Sequence, residues 1–216
     1  MDVGIMESIE SRIKRFHELK LHTEQCNLCR LRAGCKQVVF GKGSPQARLL
    51  FVGEGPGAQE DEQGLPFVGA AGKLLDKIIA AAELPLEDIY IANVVKCRPP
   101  QNRLPLPDEV AACKPYLLRQ IEIIDPIIVI TLGAAATQAL IDSKARITQA
   151  RGTWHEIGGR LFIPTFHPAA LLRDPSKKRP VWEDIQKVRD KYKEIISKQT
   201  INLRKSEEEP KQCTLF

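Results

Sequence analysis

The sequence predicts an α/β fold in which helices cover both faces of a parallel sheet. Four short apolar runs have the length and composition of buried strands, and segments with helical spacing of apolar residues lie between them. Strands that alternate with helices form parallel sheets with a layer of helices on each face. The chain has 216 residues, enough for one sizeable domain, and we find no internal repeat and no sign of a second domain.

The predicted elements follow one another with short connections. Strands are expected over residues 48–54, 89–96, 126–132 and 160–165. Helices are expected over residues 5–21, 69–83, 107–124, 133–141 and 182–198. Pro107 suits the first turn of its helix. Residues 200–216 are charged and poor in apolar side chains, which predicts a flexible tail behind a domain formed by residues 1–199.

Composition sets limits on location and partners. The net charge is +5 and the pI is about 8.9, a mild basic bias that is compatible with a polyanionic partner. No apolar run approaches the roughly 20 residues that span a membrane, and the polar N-terminus lacks the apolar core of a signal peptide. We therefore expect a cytoplasmic protein without membrane contact.

Six cysteines suggest a metal site, because a reducing compartment disfavours disulfides. Cys26 and Cys29 form a C-x-x-C pair, and the distant Cys97 and Cys113 are candidates to complete a set of four sulfur ligands. One pair plus two isolated cysteines suits an iron–sulfur cluster as well as zinc. The alternative is that Cys97 and Cys113 are small buried apolar residues. Cys35 and Cys213 are left over.

Distinctive residues fall where the predicted strands end. The first strand leads into Glu54-Gly55-Pro56-Gly57, the second carries Asn93, and the fourth leads to His167. Ligands of parallel sheets bind beyond the carboxyl ends of the strands, so these motifs should meet in one crevice. The glycine-rich turn at 53–57 lacks the spacing of a dinucleotide-binding motif, and its proline removes a backbone donor.

These motifs resemble those of family 4 uracil-DNA glycosylases, the thermostable iron–sulfur type. The stretch 53–69 (GEGPGAQEDEQGLPFVG) is similar to their first motif and residues 167–173 (HPAALLR) to their second. The resemblance runs from about residue 20 to about residue 195. It implies a three-layer α/β/α fold with a four-stranded parallel sheet, and removal of uracil from DNA. Family 5 is similar too, but typically has an apolar residue in place of Glu54.

The resemblance also implies a cofactor and a set of site residues. Its four cluster ligands correspond to the cysteines at 26, 29, 97 and 113, which predicts a [4Fe–4S] cluster. In the uracil pocket, Phe67 should stack on the base and Asn93 should recognise its edge, beside the backbone of Gly53 and Gly55. Tyr90 is a weaker candidate that we expect to be structural.

The catalytic groups follow from the charge that develops when the glycosidic bond breaks. His167 is expected to donate a hydrogen bond to the uracil 2-carbonyl oxygen. The best-known uracil-DNA glycosylases have a water-activating aspartate where this chain has Gly55. Glu54 and Glu60 are then the available carboxylates, each able to orient water or a supporting loop, with Asp61 a lesser option. No lysine is placed as a Schiff-base nucleophile, so we predict no strand cleavage.

Other residues are expected to contact DNA. A flipped nucleotide leaves a gap that an apolar wedge fills, and Leu171, with Leu172, is the candidate wedge, although core packing is the alternative. Arg173 and the basic run that includes Lys177 and Lys178 are expected to hold phosphates, unless the run is only a solvated face.

The tail resembles a short sliding-clamp-binding peptide. Its Gln212 is followed three residues later by Leu215 and then by Phe216, and such peptides fold on their partner. We otherwise expect a monomer whose partner is uracil-containing DNA. The competing function is that of a non-enzymatic iron–sulfur DNA-binding protein or damage sensor, which would need the basic surface but not the combined pocket motifs.

Overall fold

A computed structural model describes residues 8–208 and contains a six-stranded sheet between two layers of helices. The strands are β1 (Lys42–Gly43), β2 (Leu49–Gly53), β3 (Ile89–Asn93), β4 (Ile128–Leu132), β5 (His155–Ile157) and β6 (Arg160–Thr165). The helices are α1 (Ile9–Glu24), α2 (Leu31–Gly34), α3 (Ala58–Gln63), α4 (Ala70–Ala81), α5 (Pro107–Ile124), α6 (Ala134–Leu140), α7 (Ile147–Ala150), α8 (Pro168–Arg173) and α9 (Lys178–Glu208). None of the helices in residues 8–208 has the length and apolarity needed to cross a membrane.

The sheet has the strand order β1-β3-β2-β4-β6-β5. Its four central strands are parallel, whereas β1 and β5 pair antiparallel at the two edges. The α/β class is therefore confirmed, and the predicted four strands form the centre of the sheet. The prediction missed the edge strands because two and three residues are too few to show an alternating pattern.

Side chains alternate across the central strands, which buries the sheet on both faces. Leu50 and Val52 of β2 point into one core together with residues of α1 and α5. Leu49 and Phe51 point into a second core with residues of α4 and α9. Since every residue of β2, β3 and β4 is buried, only the strand ends are free to form a site.

The register places the carboxyl ends of these strands side by side. Gly53 pairs with Asn93 at the ends of β2 and β3, and Leu132 pairs with Thr165 at the ends of β4 and β6. The segments that follow these strands therefore leave the sheet side by side, as the sequence predicted.

Most predicted elements lie within a few residues of their observed bounds, with one clear exception. In residues 200–208, which the sequence assigned to the tail, the chain is helical, because α9 begins at Lys178 and continues to Glu208. The flexibility of the tail stays a prediction. Ion pairs one turn apart, such as Lys198 with Glu194 at 2.6 Å, support this charged helix. The proposed clamp-binding residues 212–216 and the predicted helix start at residues 5–7 lie outside the described residues.

Candidate active site and cysteine cavity

A crevice opens at the carboxyl edge of the sheet, where the predicted motifs meet. Its lining includes Glu54, Gly55, His167 and Arg173, together with residues of the α6 and α7 region. Phe67 and Asn93 do not reach this lining. They lie deeper, where each is at most 5% exposed. Phe67 and Asn93 are therefore buried side chains next to the crevice that do not belong to its lining.

Asn93 lies beside Gly53 and Phe67, and it is 1% exposed. Its Oδ1 atom has no hydrogen-bond partner within residues 8–208. A side chain at Gly53, its register partner, would lie 2.4 Å from that oxygen and 2.7 Å from Phe67 Cζ, so only glycine fits there. A buried, unpaired amide oxygen costs about 1–3 kcal/mol, which indicates a group that awaits a ligand.

Phe67 adopts an unusual backbone conformation beside this asparagine. Its φ is 53°, a left-handed conformation that a bulky residue keeps only when its surroundings enforce it. The start of α4 packs closely on it, since a side chain at Gly72 would lie 1.9 Å from the Phe67 oxygen. The Phe67 ring stacks on His167 with a centroid distance of 5.5 Å and an interplanar angle of 29°. Asn93, Phe67 and His167 are thereby joined in one cluster.

His167 caps the N-terminus of α8 with its ring. The backbone N–H of Ala169 donates to His167 Nδ1 at 3.1 Å, which leaves the proton of the neutral ring on Nε2. Burial, aided by the charge of Arg173, lowers the pKa of His167 to about 4. The ring is therefore neutral at pH 7, with one N–H available as a donor.

The two candidate glutamates have different surroundings. Glu60 accepts hydrogen bonds from the backbone N–H groups of Gly57, Val68 and Gly69, at 3.1, 3.0 and 2.9 Å. It therefore holds the turn before α3 and the segment after Phe67. Glu54 lines the crevice, and burial raises the pKa of its carboxyl group although the nearby Arg173 opposes the shift. Only Glu54 is free to face a ligand.

Two further residues of the first motif have structural surroundings. The carboxylate of Asp61 is 3% exposed and accepts from the backbone N–H of Lys36 at 2.9 Å, so it joins α3 to the cysteine-rich segment. Gly55 lines the crevice, and a side chain there would lie 2.7 Å from Val95 Cγ2. Its backbone is thus exposed to the crevice and packed from behind.

For Leu171 the structure favours core packing, the alternative to the wedge. Leu171 is 1% exposed and belongs to the core on the α9 side of the sheet, since α8 packs against α4 along this side. The neighbouring Leu172 is 50% exposed and is the leucine of this pair that faces outward. Sequence alone did not separate the two, because either leucine fits the apolar face of so short a helix.

The predicted basic residues lie on both sides of the α8–α9 junction. Arg173 is exposed and lines the crevice. Lys177 Nζ lies 3.2 Å from Asp174 Oδ2 and 5.6 Å from the centroid of the Phe166 ring. Lys178 is exposed at the start of α9. These residues provide positive charge beside the crevice, and part of it is neutralised by Asp174.

Four cysteines surround a separate small cavity away from the crevice. They are Cys26, Cys29, Cys97 and Cys113, and the other walls are mainly apolar. Cys26 and Cys29 follow α1, Cys97 follows β3, and Cys113 lies on α5. Tertiary packing thus brings together the set that the sequence predicted, whereas Cys35 does not line the cavity.

The four cysteines give the cavity the sulfur donors that a metal centre would need. Residues 8–208 contain no group of three or more His, Cys, Asp or Glu side chains close enough to hold a single metal ion. The backbone N–H of Lys96 donates to Cys113 Sγ at 3.2 Å, a contact that favours a thiolate. Burial raises the pKa of the thiols of Cys97 and Cys113, so they need a strong partner to ionise.

Sequence reasoning missed the support for the loop beside the crevice. Arg103 donates two hydrogen bonds to the fully buried carboxylate of Glu109, at 2.8 and 2.6 Å. Glu109 also accepts from the backbone N–H of Leu106 at 2.8 Å, and these bonds lower the pKa of Glu109. Only half of a capping box is present, because Leu106 has no side-chain acceptor, and the sequence signal is limited to the glutamate three residues after the N-cap.

Comparison with known proteins agrees with this geometry. The profile of the uracil DNA glycosylase superfamily matches residues 40–186. The chain is similar to the type-4 uracil-DNA glycosylase of Thermotoga maritima, with 46% identity over 191 residues, 86% of this chain and 93% of that enzyme. The type-4 enzyme of Saccharolobus solfataricus is 44% identical over 188 residues, 83% of this chain and 85% of the relative. A type-5 enzyme of Thermus thermophilus is 29% identical over 149 residues, 60% of this chain and 68% of that enzyme.

Proposed function

This chain belongs to the uracil DNA glycosylase superfamily, and within it to type 4. From that premise we propose that it releases uracil from DNA by hydrolysing the N-glycosidic bond of a flipped-out deoxyuridine, in base excision repair. The enzyme is proposed to be monofunctional and to leave an abasic site. A duplex hides this bond, so the nucleotide has to leave the stack first.

The observation that carries the proposal is the unpaired Asn93 Oδ1, buried beside the ring of Phe67. A carboxamide offers one acceptor and two donors, which match the ring imino group and the 4-carbonyl of uracil. Cytosine presents the reverse pattern at these positions. The Phe67 ring, held in its strained conformation, provides a flat surface for the base.

His167 is proposed to stabilise the leaving group. Breaking the bond places negative charge on the uracil 2-carbonyl oxygen, and the neutral ring can donate Nε2–H to it. Its Nδ1 atom already accepts a hydrogen bond from the Ala169 N–H, so the ring does not need to reorient during the reaction. One well-placed donor of this kind contributes roughly 3–4 kcal/mol to the transition state.

Glu54 is proposed to act on the sugar side. The departing base leaves a cation-like sugar, and water must attack its anomeric carbon. The carboxylate at the crevice mouth is suited to orient that water and to stabilise the positive charge, while the backbone of Gly55 provides further polar groups. Glu60 contributes indirectly, because its three backbone hydrogen bonds hold the loop around Phe67.

The surroundings of the crevice lysine support a single activity. Strand cleavage through a Schiff base requires an unprotonated amine near the sugar. Lys177 lines the crevice, but its Nζ atom already forms an ion pair with the Asp174 carboxylate at 3.2 Å.

The cysteine cavity is proposed to hold a [4Fe–4S] cluster through Cys26, Cys29, Cys97 and Cys113. Four sulfur donors and mainly apolar walls fit this group. The cluster would supply a structural cross-link between the segment after α1, the end of β3 and α5.

Contacts with DNA are proposed for the α8–α9 side of the crevice. The exposed Leu172 takes the role of wedge, and Arg173, Lys177 and Lys178 contact phosphates. Binding of a sliding clamp by Gln212, Leu215 and Phe216, a monomeric state and a cytoplasmic location remain predictions from the sequence.

The test is uracil release from an oligonucleotide with one deoxyuridine, end-labelled and analysed before and after alkali. We expect free uracil and an intact strand that breaks only after alkali. Breakage without alkali would contradict the monofunctional proposal. DNA that is bound but unbroken after alkali would favour the non-enzymatic binding protein.

A further inference from the structure

The buried side chain of Lys96 links the base-recognising end of β3 to the cysteine cavity. Its ammonium group donates to the backbone oxygen of Asn93 at 2.8 Å and to Gln120 Oε1 at 2.5 Å. Lys96 is 1% exposed and lines the cavity with Cys97 and Cys113. One side chain therefore contacts the uracil pocket and the proposed cluster site.

The second partner of Lys96 is firmly held. Gln120 lies on α5 with no exposed surface. Its Nε2 donates to the Phe40 oxygen at 2.9 Å and to the Tyr90 hydroxyl at 3.3 Å. The ammonium group thus fastens the end of β3 to a helix that is itself fastened to the segment before β1.

The charge of Lys96 needs an explanation, because an isolated buried ammonium is unfavourable. The ammonium group donates to one backbone carbonyl and one carboxamide oxygen, and both are neutral. Within residues 8–208 Lys96 forms no ion pair with a carboxylate. The neighbouring sulfur is that of Cys113, which accepts from the Lys96 backbone N–H at 3.2 Å. The hydrogen bonds to the Asn93 carbonyl and to Gln120 offset part of this cost.

We propose that Lys96 is a positioning residue for uracil recognition. This inference rests on the proposed function of the crevice. Asn93 Oδ1 has no partner to hold it, so the backbone position of Asn93 sets where the carboxamide lies. Lys96 fixes that backbone through the Asn93 carbonyl.

The test measures binding, with iron-loaded protein and two DNA probes. One probe carries 2′-fluoro-2′-deoxyuridine, whose fluorine disfavours the cation-like sugar and slows cleavage, and the other carries a stable abasic analogue. The ratio of the two Kd values isolates the contribution of the base. For K96M we expect this ratio to fall about tenfold, which corresponds to about 1.4 kcal/mol, while affinity for abasic DNA and the iron content stay unchanged.

Two matched variants complete the test. K96R keeps the charge and the donors and should restore most of the ratio. Lys187 donates to the Gly152 oxygen at 2.9 Å from α9, which packs on the opposite face of the sheet, so K187M should leave the ratio unchanged. If K96M does not fold or loses iron, Q120L removes the other anchor and should lower the ratio in the same direction.

The outcomes are separable. An unchanged ratio in folded K96M, or in Q120L where K96M fails, overturns the inference. A parallel loss of both affinities also overturns it, because that result indicates a general structural role. A wild-type protein that binds both probes equally would instead contradict the proposed function of the crevice.

Discussion

The crevice and the cysteine cavity are built in opposite ways. In the crevice, short-range backbone hydrogen bonds fix the key side chains, as those of His167 to Ala169 and of Glu60 to Gly57 illustrate. The cavity gathers four cysteines from three segments that are distant in sequence. The geometry of the crevice is therefore set by the sheet and its turns, whereas that of the cavity depends on packing between distant segments. This difference predicts that catalysis and stability can be lost separately.

The largest effect on catalysis is expected for H167A. Removing the donor to the uracil oxygen should slow uracil release by about 10²–10³-fold, measured in single turnover with excess enzyme. The variant also loses the cap on α8, which costs about 1 kcal/mol. H167N is the control, because its side chain can restore the cap. Recovery of both stability and rate in H167N would contradict the catalytic role and reduce His167 to a cap.

Loss of a cysteine of the cavity should reduce stability more than it reduces the rate of uracil release. C97S is expected to lose iron, to lose absorbance near 400 nm and to unfold at a lower temperature, because the cross-link between β3 and α5 is gone. C213S is the matched control, since Cys213 is not among the four cysteines that line the cavity, and it should keep its iron. A C97S protein without iron that retained full thermal stability would disprove the architectural role.

Recognition of the base by Asn93 can be tested with N93D. Aspartate keeps the shape but replaces the amide donor with an oxygen, so uracil release should fall at least about tenfold, and the ratio of cytosine to uracil release should rise. The rates are measured on matched oligonucleotides that contain either base. An unaltered uracil rate would remove Asn93 from the recognition of the base.

The same comparison explains how far the sequence was informative. The strand ends and the residues His167, Asn93 and Glu54 were predictable, because short motifs at the carboxyl ends of parallel strands must meet. The different surroundings of Glu54 and Glu60 were not, since they depend on which carboxylate a turn encloses. The burial of Leu171 rather than Leu172 depends on how α8 rotates against α4. The Lys96–Gln120 contact joins residues 24 apart in sequence and follows only from tertiary packing.

The pH dependence of stability tests whether His167 is buried in its neutral form in the crevice. Burial lowers the pKa of His167 from the ordinary 6.5 to about 4. The unfolded chain therefore takes up this proton before the native state does, and stability present above pH 6.5 is lost as pH falls towards 4. The full loss is about 3 kcal/mol.

Thermal unfolding of wild type and H167N between pH 7.5 and 4 measures this contribution, because the variant lacks the titrating ring. The difference in stability between the two proteins should shrink across this window. Parallel curves would contradict a histidine that is buried in its neutral form.

The smallest effect is expected at the rim of the crevice, from L172A. The Leu172 side chain is 50% exposed, so its loss should change the free energy of unfolding by less than about 0.5 kcal/mol. If it fills the gap left by the flipped nucleotide, L172A should slow release from duplex DNA severalfold and release from single-stranded DNA much less, since a single strand has no pairing partner to displace. Its buried neighbour provides the contrast, because L171A should cost about 2–5 kcal/mol of stability through the cavity it leaves. Equal slowing of L172A on both substrates would exclude a wedge and leave Leu172 as a surface contact.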